Sequence, residues 1–123
     1  MRPAIPVIVT VIWMMVIFGL SELPASATGP STPFFKIITK LLHFIVFGIL
    51  AVLYLLSLKR DRSIRQLGPT FFIFSFVLTV LYAVIDEYHQ TFSLGRTPSV
   101  GDVFLDSCGA FLFLGTVYVL KKS

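Results

Sequence analysis

The sequence predicts an all-α integral membrane protein with four transmembrane helices and both termini in the cytoplasm. Three observations carry that expectation. The 123 residues include only 10 Lys and Arg and 6 Asp and Glu, against 56% hydrophobic residues, and the mean hydropathy is +0.92. Soluble domains carry about 25% charged residues, and a globule of this size has too little interior for so many Phe, Leu, Ile and Val side chains. The apolar residues also gather into four runs, residues 3–20, 41–58, 69–85 and 103–120. Finally, Lys and Arg fall unevenly on alternate sides of those runs. A hydrocarbon core of about 30 Å takes about 20 helical residues to cross, so four crossings use most of the chain. Residues 1–123 therefore read as a single membrane domain with no soluble part.

The first run follows Arg2 and precedes Ala25-Ser26-Ala27, a pattern that also suits a secretory signal. It is longer than the apolar region of about 7 to 15 residues that signals carry, so retention as a helix is the expectation. Residues 21–33 hold three prolines and one glycine, as an exposed loop does. Thr32-Pro33 reads as an N-cap followed by proline in the first helical position, so the second helix starts ahead of its apolar run and projects outward. Gly95, Pro98 and Gly101 interrupt the chain between the third and fourth helices, and Ser99 with Asp102 forms a capping-box variant. Each run is 17 or 18 residues, the short end of the spanning range, so flanking residues should complete each helix. No repeat or low-complexity tract is present.

Arg2, Lys59, Arg60, Arg62, Arg65, Lys121 and Lys122 fall on one side of the runs, and Lys36, Lys40 and Arg96 on the other. The positive-inside rule then places both termini and the loop at 59–66 in the cytoplasm. Asp61 is inside, whereas Glu22, Asp86, Glu87, Asp102 and Asp106 lie at or near the outer ends. Polar chemistry thus concentrates at the extracytoplasmic face of a multi-pass protein of the cell membrane. The net charge of +4 is no nucleic-acid signature, because no basic stripe is interleaved with stacking aromatics. Cys108 is the single cysteine, which excludes an internal disulfide and any multi-cysteine metal site.

Lys36, Lys40 and His43 share one stripe of the second helix at 3.6 residues per turn. Snorkelling accounts for the lysines taken alone, but His43 lies inside the apolar run, where an ionisable residue normally faces the bundle interior and a partner. On the third helix, Tyr82, Asp86, His89 and Gln90 share a face, with Glu87 about a quarter-turn away. A carboxylate one turn from a histidine can fix its tautomer and stabilise its cation, as a general base requires; a polar helix cap is the plainer alternative. The Glu87-x-His89 spacing differs from the His-Glu-x-x-His arrangement of helical zinc sites, so neither a metal nor any other cofactor is expected. The fourth helix opens with Asp102 and, a turn later, Asp106, with Gly109 on the same stripe. An acidic residue costs about 2.5 to 3.5 kcal/mol at the centre of a membrane helix and less near its ends. Asp106 therefore needs a proton or a cation, for which Arg96, Lys40 and His43 are the candidates, and Gly109 would admit a neighbouring helix closely.

The run Asp86-Glu87-Tyr88-His89-Gln90-Thr91-Phe92, followed by Gly95-Arg96-Thr97, Ser99, Asp102-Val103 and Gly109-Ala110, resembles the signature of VanZ-like membrane proteins. So do Lys40-x-x-His43-Phe44 and the Ser21 and Pro24 after the first helix, and the resemblance covers nearly the whole chain. That family takes its name from an accessory protein of glycopeptide-resistance clusters associated with resistance to teicoplanin, a lipidated antibiotic. The resemblance implies action on the cell envelope. Two positions depart from the family pattern and shift the charge balance of the site: Thr39 stands where an Asp often precedes the lysine, and Asp106 where an Asn is common.

Three functions compete. In the first, Lys36, Lys40 and Arg96 hold the anionic headgroup of a membrane lipid or lipid-linked cell-wall component, with Asp86, Glu87 and Asp106 as counter-ions and Gln90 and Asp102 beside them. In the second, a small intramembrane hydrolase or transferase uses Asp86 to orient His89, or His43, as base, with Arg96 steadying negative charge; no Ser or Cys nucleophile is obviously placed. Proton-coupled transport ranks last, because four short helices make a narrow monomer and only an oligomer would offer a path. No nucleic-acid partner is expected.

Overall fold

The computed structural model describes residues 4–21, 33–90 and 100–121. Four helices make up almost all of it: α1 (Ala4–Ser21), α2 (Pro33–Lys59), α3 (Pro69–Gln90) and α4 (Val100–Lys121), with a 3-10 turn at Ile64–Gln66. There is no strand among the described residues. Three helical stretches are long and apolar enough to cross a membrane, namely Ile37–Lys59, Pro69–His89 and Val100–Lys121. The apolar part of α1, Ala4–Leu20, is shorter, and at 1.5 Å per residue it falls a few ångströms below the hydrocarbon thickness of about 30 Å.

Each of the last three helices outruns its apolar segment. Pro33 opens α2 well before residue 41, so Lys36, Lys40 and His43 all ride on helix. Asp86 to Gln90 extend α3 past residue 85, and Val100 opens α4 ahead of Asp102. The polar groups therefore sit on rigid elements. Thr32 and Ser99, expected as caps, lie outside the described residues.

α2 touches every other helix, and its contact with α4 is the most extensive. These two helices run parallel, since His43 faces Asp106 and Ala51 and Leu55 pack with Ala110 and Leu114 further down. Glycine makes the approach possible. A Cβ at Gly109 would overlap the Phe44 carbonyl, and one at Gly48 would overlap the Phe113 ring. Small residues at such a crossing let backbones meet where lipid removes the hydrophobic drive for association.

α1 lies antiparallel to α2 and is tied to its neighbours by polar contacts. The Thr10 hydroxyl lies 3.2 Å from the Leu53 carbonyl and 2.9 Å from the Ser57 hydroxyl. Trp13 donates its indole N–H to the Val46 carbonyl at 3.1 Å, and the Tyr82 hydroxyl donates to the Met14 carbonyl at 2.6 Å. At the other end of α1, Phe18 stacks on His89 with ring centroids 4.0 Å apart. Interior hydroxyls without a distant partner bond the preceding turn, as Ser75 does to the Phe71 carbonyl and Thr79 to that of Ser75; such bonds satisfy polar groups where water is absent.

The turn between α2 and α3 closes the basic end. Arg60 takes φ 53°, the left-handed conformation that commonly ends a helix. The Arg62 N–H returns to the Lys59 carbonyl, and its guanidinium lies 5.2 Å from the centre of the Phe71 ring. Leu67 is buried there, packed with Leu55, Phe72 and Leu114. A second core of Ile17, Phe47, Leu50 and Ala83 lies toward the opposite end. Outward faces stay apolar: Ile8, Met15, Phe74, Phe104 and Phe111 are each more than half exposed. In water so much exposed apolar surface would drive association, whereas lipid accepts it.

Candidate functional site

The second core supports a layer of ionisable side chains. Phe47 forms its floor, with its ring nearly parallel to that of His43 and the centroids 6.4 Å apart; Tyr82 lies against the same phenyl ring. Above it, His43 Nδ1 is 3.7 Å from Asp106 Oδ1, joining α2 to α4. The histidine side chain is 31% exposed and that of Asp106 only 4%. Asp106 Oδ1 accepts no hydrogen bond from the described residues, so the pair meets at ion-pair distance without the shorter geometry of a hydrogen bond. Among the described residues, His43 is the cation candidate brought to Asp106; Arg96 lies outside them.

Helix spacing explains the meeting. Phe44, the residue after His43, presents its carbonyl to Gly109, which follows Asp106 by three positions. The glycine contact therefore holds the helices close just beneath the pair.

α3 adds two more carboxylates. Asp86 is 3% exposed and Glu87 7%, and Asp86 and Asp102 both lie within electrostatic range of His43. The buried stripe of α3 runs through Phe72, Ser75, Thr79 and Ala83 to Asp86 and Glu87. Glu87 follows Ala83 by one turn and so belongs to that stripe, although a face drawn through Asp86 and His89 leaves it aside. His89 turns toward α1, where Phe18 covers its ring.

Lys40 is exposed on α2 and Asp102 half-buried in the first turn of α4. Lys36 and Gln90 belong to α2 and α3, with side chains outside the description, and Arg96 lies outside the described residues. Among the described residues, no three His, Cys, Asp or Glu side chains converge as metal ligands. The contributions of Phe18, Phe47 and Trp13 were not visible in the sequence, where each is one aromatic among many. The depth of His43 in its run pointed to the bundle interior and a partner there, without naming the ring beneath it.

Chemically, the layer is acidic and largely withdrawn from solvent, and His43 is its half-open member. With Nδ1 turned to Asp106, the opposite ring nitrogen, Nε2, is left for a ligand or a proton. Each buried carboxylate is costly in lipid without a compensating proton or cation.

A family model described as VanZ/LLP1 matches residues 6–121, nearly the whole chain. No curated protein and no solved structure matches it. The chain belongs to the VanZ/LLP1 family.

Proposed function

We propose that this member of the VanZ/LLP1 family crosses the cell membrane four times, with both termini cytoplasmic, and acts at the extracytoplasmic face by holding the headgroup of a membrane lipid or lipid-linked cell-wall component. The observation that carries this reading is the polarity of the bundle. One end gathers Asp86, Glu87, Asp106 and His43 on helix, the other carries Lys59, Arg60, Arg62, Arg65 and Lys121, and the faces between are apolar. In this reading Lys36, Lys40 and Arg96 bind the phosphate, Arg96 in bidentate fashion, while the carboxylates balance them. Gln90 and Asp102 flank the headgroup. Reconstituted protein should bind anionic lipid, and Arg96→Ala or Lys40→Ala should weaken binding by about tenfold, equivalent to about 1.4 kcal/mol. Unchanged binding in both variants overturns the headgroup role.

A second reading, an intramembrane hydrolase or transferase, is favoured by one observation: the carboxylate beside the partly exposed His43 is that of Asp106. His43 then serves as the base and Asp106 orients it. Full cellular activity of His43→Ala and Asp106→Asn, at normal protein levels, removes this reading. A link to glycopeptide resistance, which the family name suggests, is tested by the teicoplanin susceptibility of cells with and without the protein.

A further inference from the structure

Beside His43 and Asp106, an apolar groove of ≈ 420 Å³ opens along α4, lined among others by Phe44, Phe76, Phe104, Ser107, Cys108 and Phe111. Its volume falls in the range of about 300 to 1,000 Å³ typical of small-molecule sites. Phe104, Cys108 and Phe111 recur at i, i+4 and i+7, so they form one face of the helix. The groove's upper end abuts the candidate site through the chain itself, because Phe44 follows His43 and Ser107 follows Asp106. At the lower end the Phe76 and Phe111 rings meet edge to face, with centroids 6.3 Å apart. Between Phe104 and Leu112, α4 rises by about 12 Å, within the depth of about 15 Å of hydrocarbon that one leaflet supplies. Past the two rings lies a second groove of ≈ 380 Å³ that reaches Gly115 and Tyr118.

We propose that the upper groove holds one acyl chain of an outer-leaflet phospholipid whose headgroup lies at the His43–Asp106 end. Three features select this occupant: walls almost wholly of hydrocarbon and aromatic carbon, a length matched to one leaflet, and an upper end bordering the only ionisable layer on that side of the described structure. The position of the lipid's polar end rests on the headgroup reading above. The seat for the chain does not.

The test uses the full chain in phosphatidylcholine nanodiscs doped with phosphatidylglycerol that bears a diazirine on one acyl chain. After irradiation, adducts are mapped by mass spectrometry. Adducts should concentrate on Phe104, Cys108 and Phe111, about tenfold above lipid-facing positions outside the groove such as Ile8, Met15 and Phe74, a ratio that reflects a preferred seat over a passing neighbour. Cys108→Trp, which fills the groove, should abolish that excess. Gly115→Phe should preserve it, since a Cβ there meets nothing within 4 Å and the added ring enters only the second groove. Adducts spread evenly over the lipid-facing positions overturn the proposal. So does a loss in Gly115→Phe equal to that in Cys108→Trp, because the occupant would then run through both grooves. Repeating the experiment with diazirine phosphatidylcholine separates the two ideas: equal labelling of the groove sustains the acyl-chain seat and removes the anionic headgroup preference.

Discussion

His43 and Asp106 are unequal partners, and the inequality can be measured. Asp106 is nearly enclosed, whereas almost a third of the histidine side chain remains open. Removing the imidazole takes away the cation partner that the described residues bring to Asp106 and leaves its buried carboxylate beside Asp86 and Asp102. Breaking a fully buried pair this way costs about 3 to 5 kcal/mol; with one partner partly open, about 2 kcal/mol is expected for His43→Ala. Asp106→Asn removes the buried charge and leaves a histidine that can stay neutral, so it should change stability by less than about 1 kcal/mol. Thermal unfolding of both variants in the same nanodisc checks the order, and equal losses would mean that the pair is not held together by charge. From the sequence, the depth of His43 and Asp106 showed that both needed partners. Bringing His43 to Asp106 required knowing that α2 and α4 run side by side, which no periodicity encodes. For the same reason the stacking of Phe18 on His89 was out of reach of the sequence, because it joins two helices.

At the level of elements, the contact between α2 and α4 sets the geometry of the site. Gly109 and Gly115 occupy the same helix but opposite circumstances. A methyl group at Gly109 meets the Phe44 backbone, and backbone cannot swing aside as a side-chain tip can. Gly109→Ala should therefore push the helices apart, destabilise the bundle by about 1 to 3 kcal/mol and lengthen the His43–Asp106 separation above it. Gly115→Ala meets open space and gains the helix propensity of alanine, up to about 1 kcal/mol, so its melting temperature should be unchanged or higher. Shifts of the same sign and size in both variants would contradict a close crossing at Gly109. The helices themselves were legible because lipid imposes a simple rule: long apolar runs must satisfy their own backbones. Their ends were harder to read. The spacing of Lys40, Asp86 and Glu87 put them on helices beyond the apolar runs, and the structure carries α2 and α3 through them, but composition alone does not mark where each ladder stops.

Taken as a whole, the molecule is polarised from end to end, and α1 decides how that polarity meets the membrane. By length alone α1 is the weakest of the four candidates for crossing. Its contacts give it greater reach. Thr10 lies level with Leu53 and Ser57 near the basic turn, and Ala4 lies about 9 Å further along the helix, while Phe18 stands level with His89 at the acidic end. A helix that travels from one end of its neighbours to the other shares their depth, and a slight shortfall in length is met by tilt or local thinning at modest cost. The positive-inside rule predicts the direction, with the turn that crowds Lys59, Arg60, Arg62 and Arg65 in the cytoplasm. In a Cys108→Ser background, a cysteine at Ser63 should be reached by membrane-impermeant maleimide only from the cytoplasmic side, and an N-terminal tag should be reached from that same side. Opposite sides would reduce the crossings to three and leave α1 packed on the bundle without traversing the bilayer. Both outside would invert the protein, placing His43, Asp86 and Asp106 in the cytoplasmic leaflet, where an envelope ligand could not reach them.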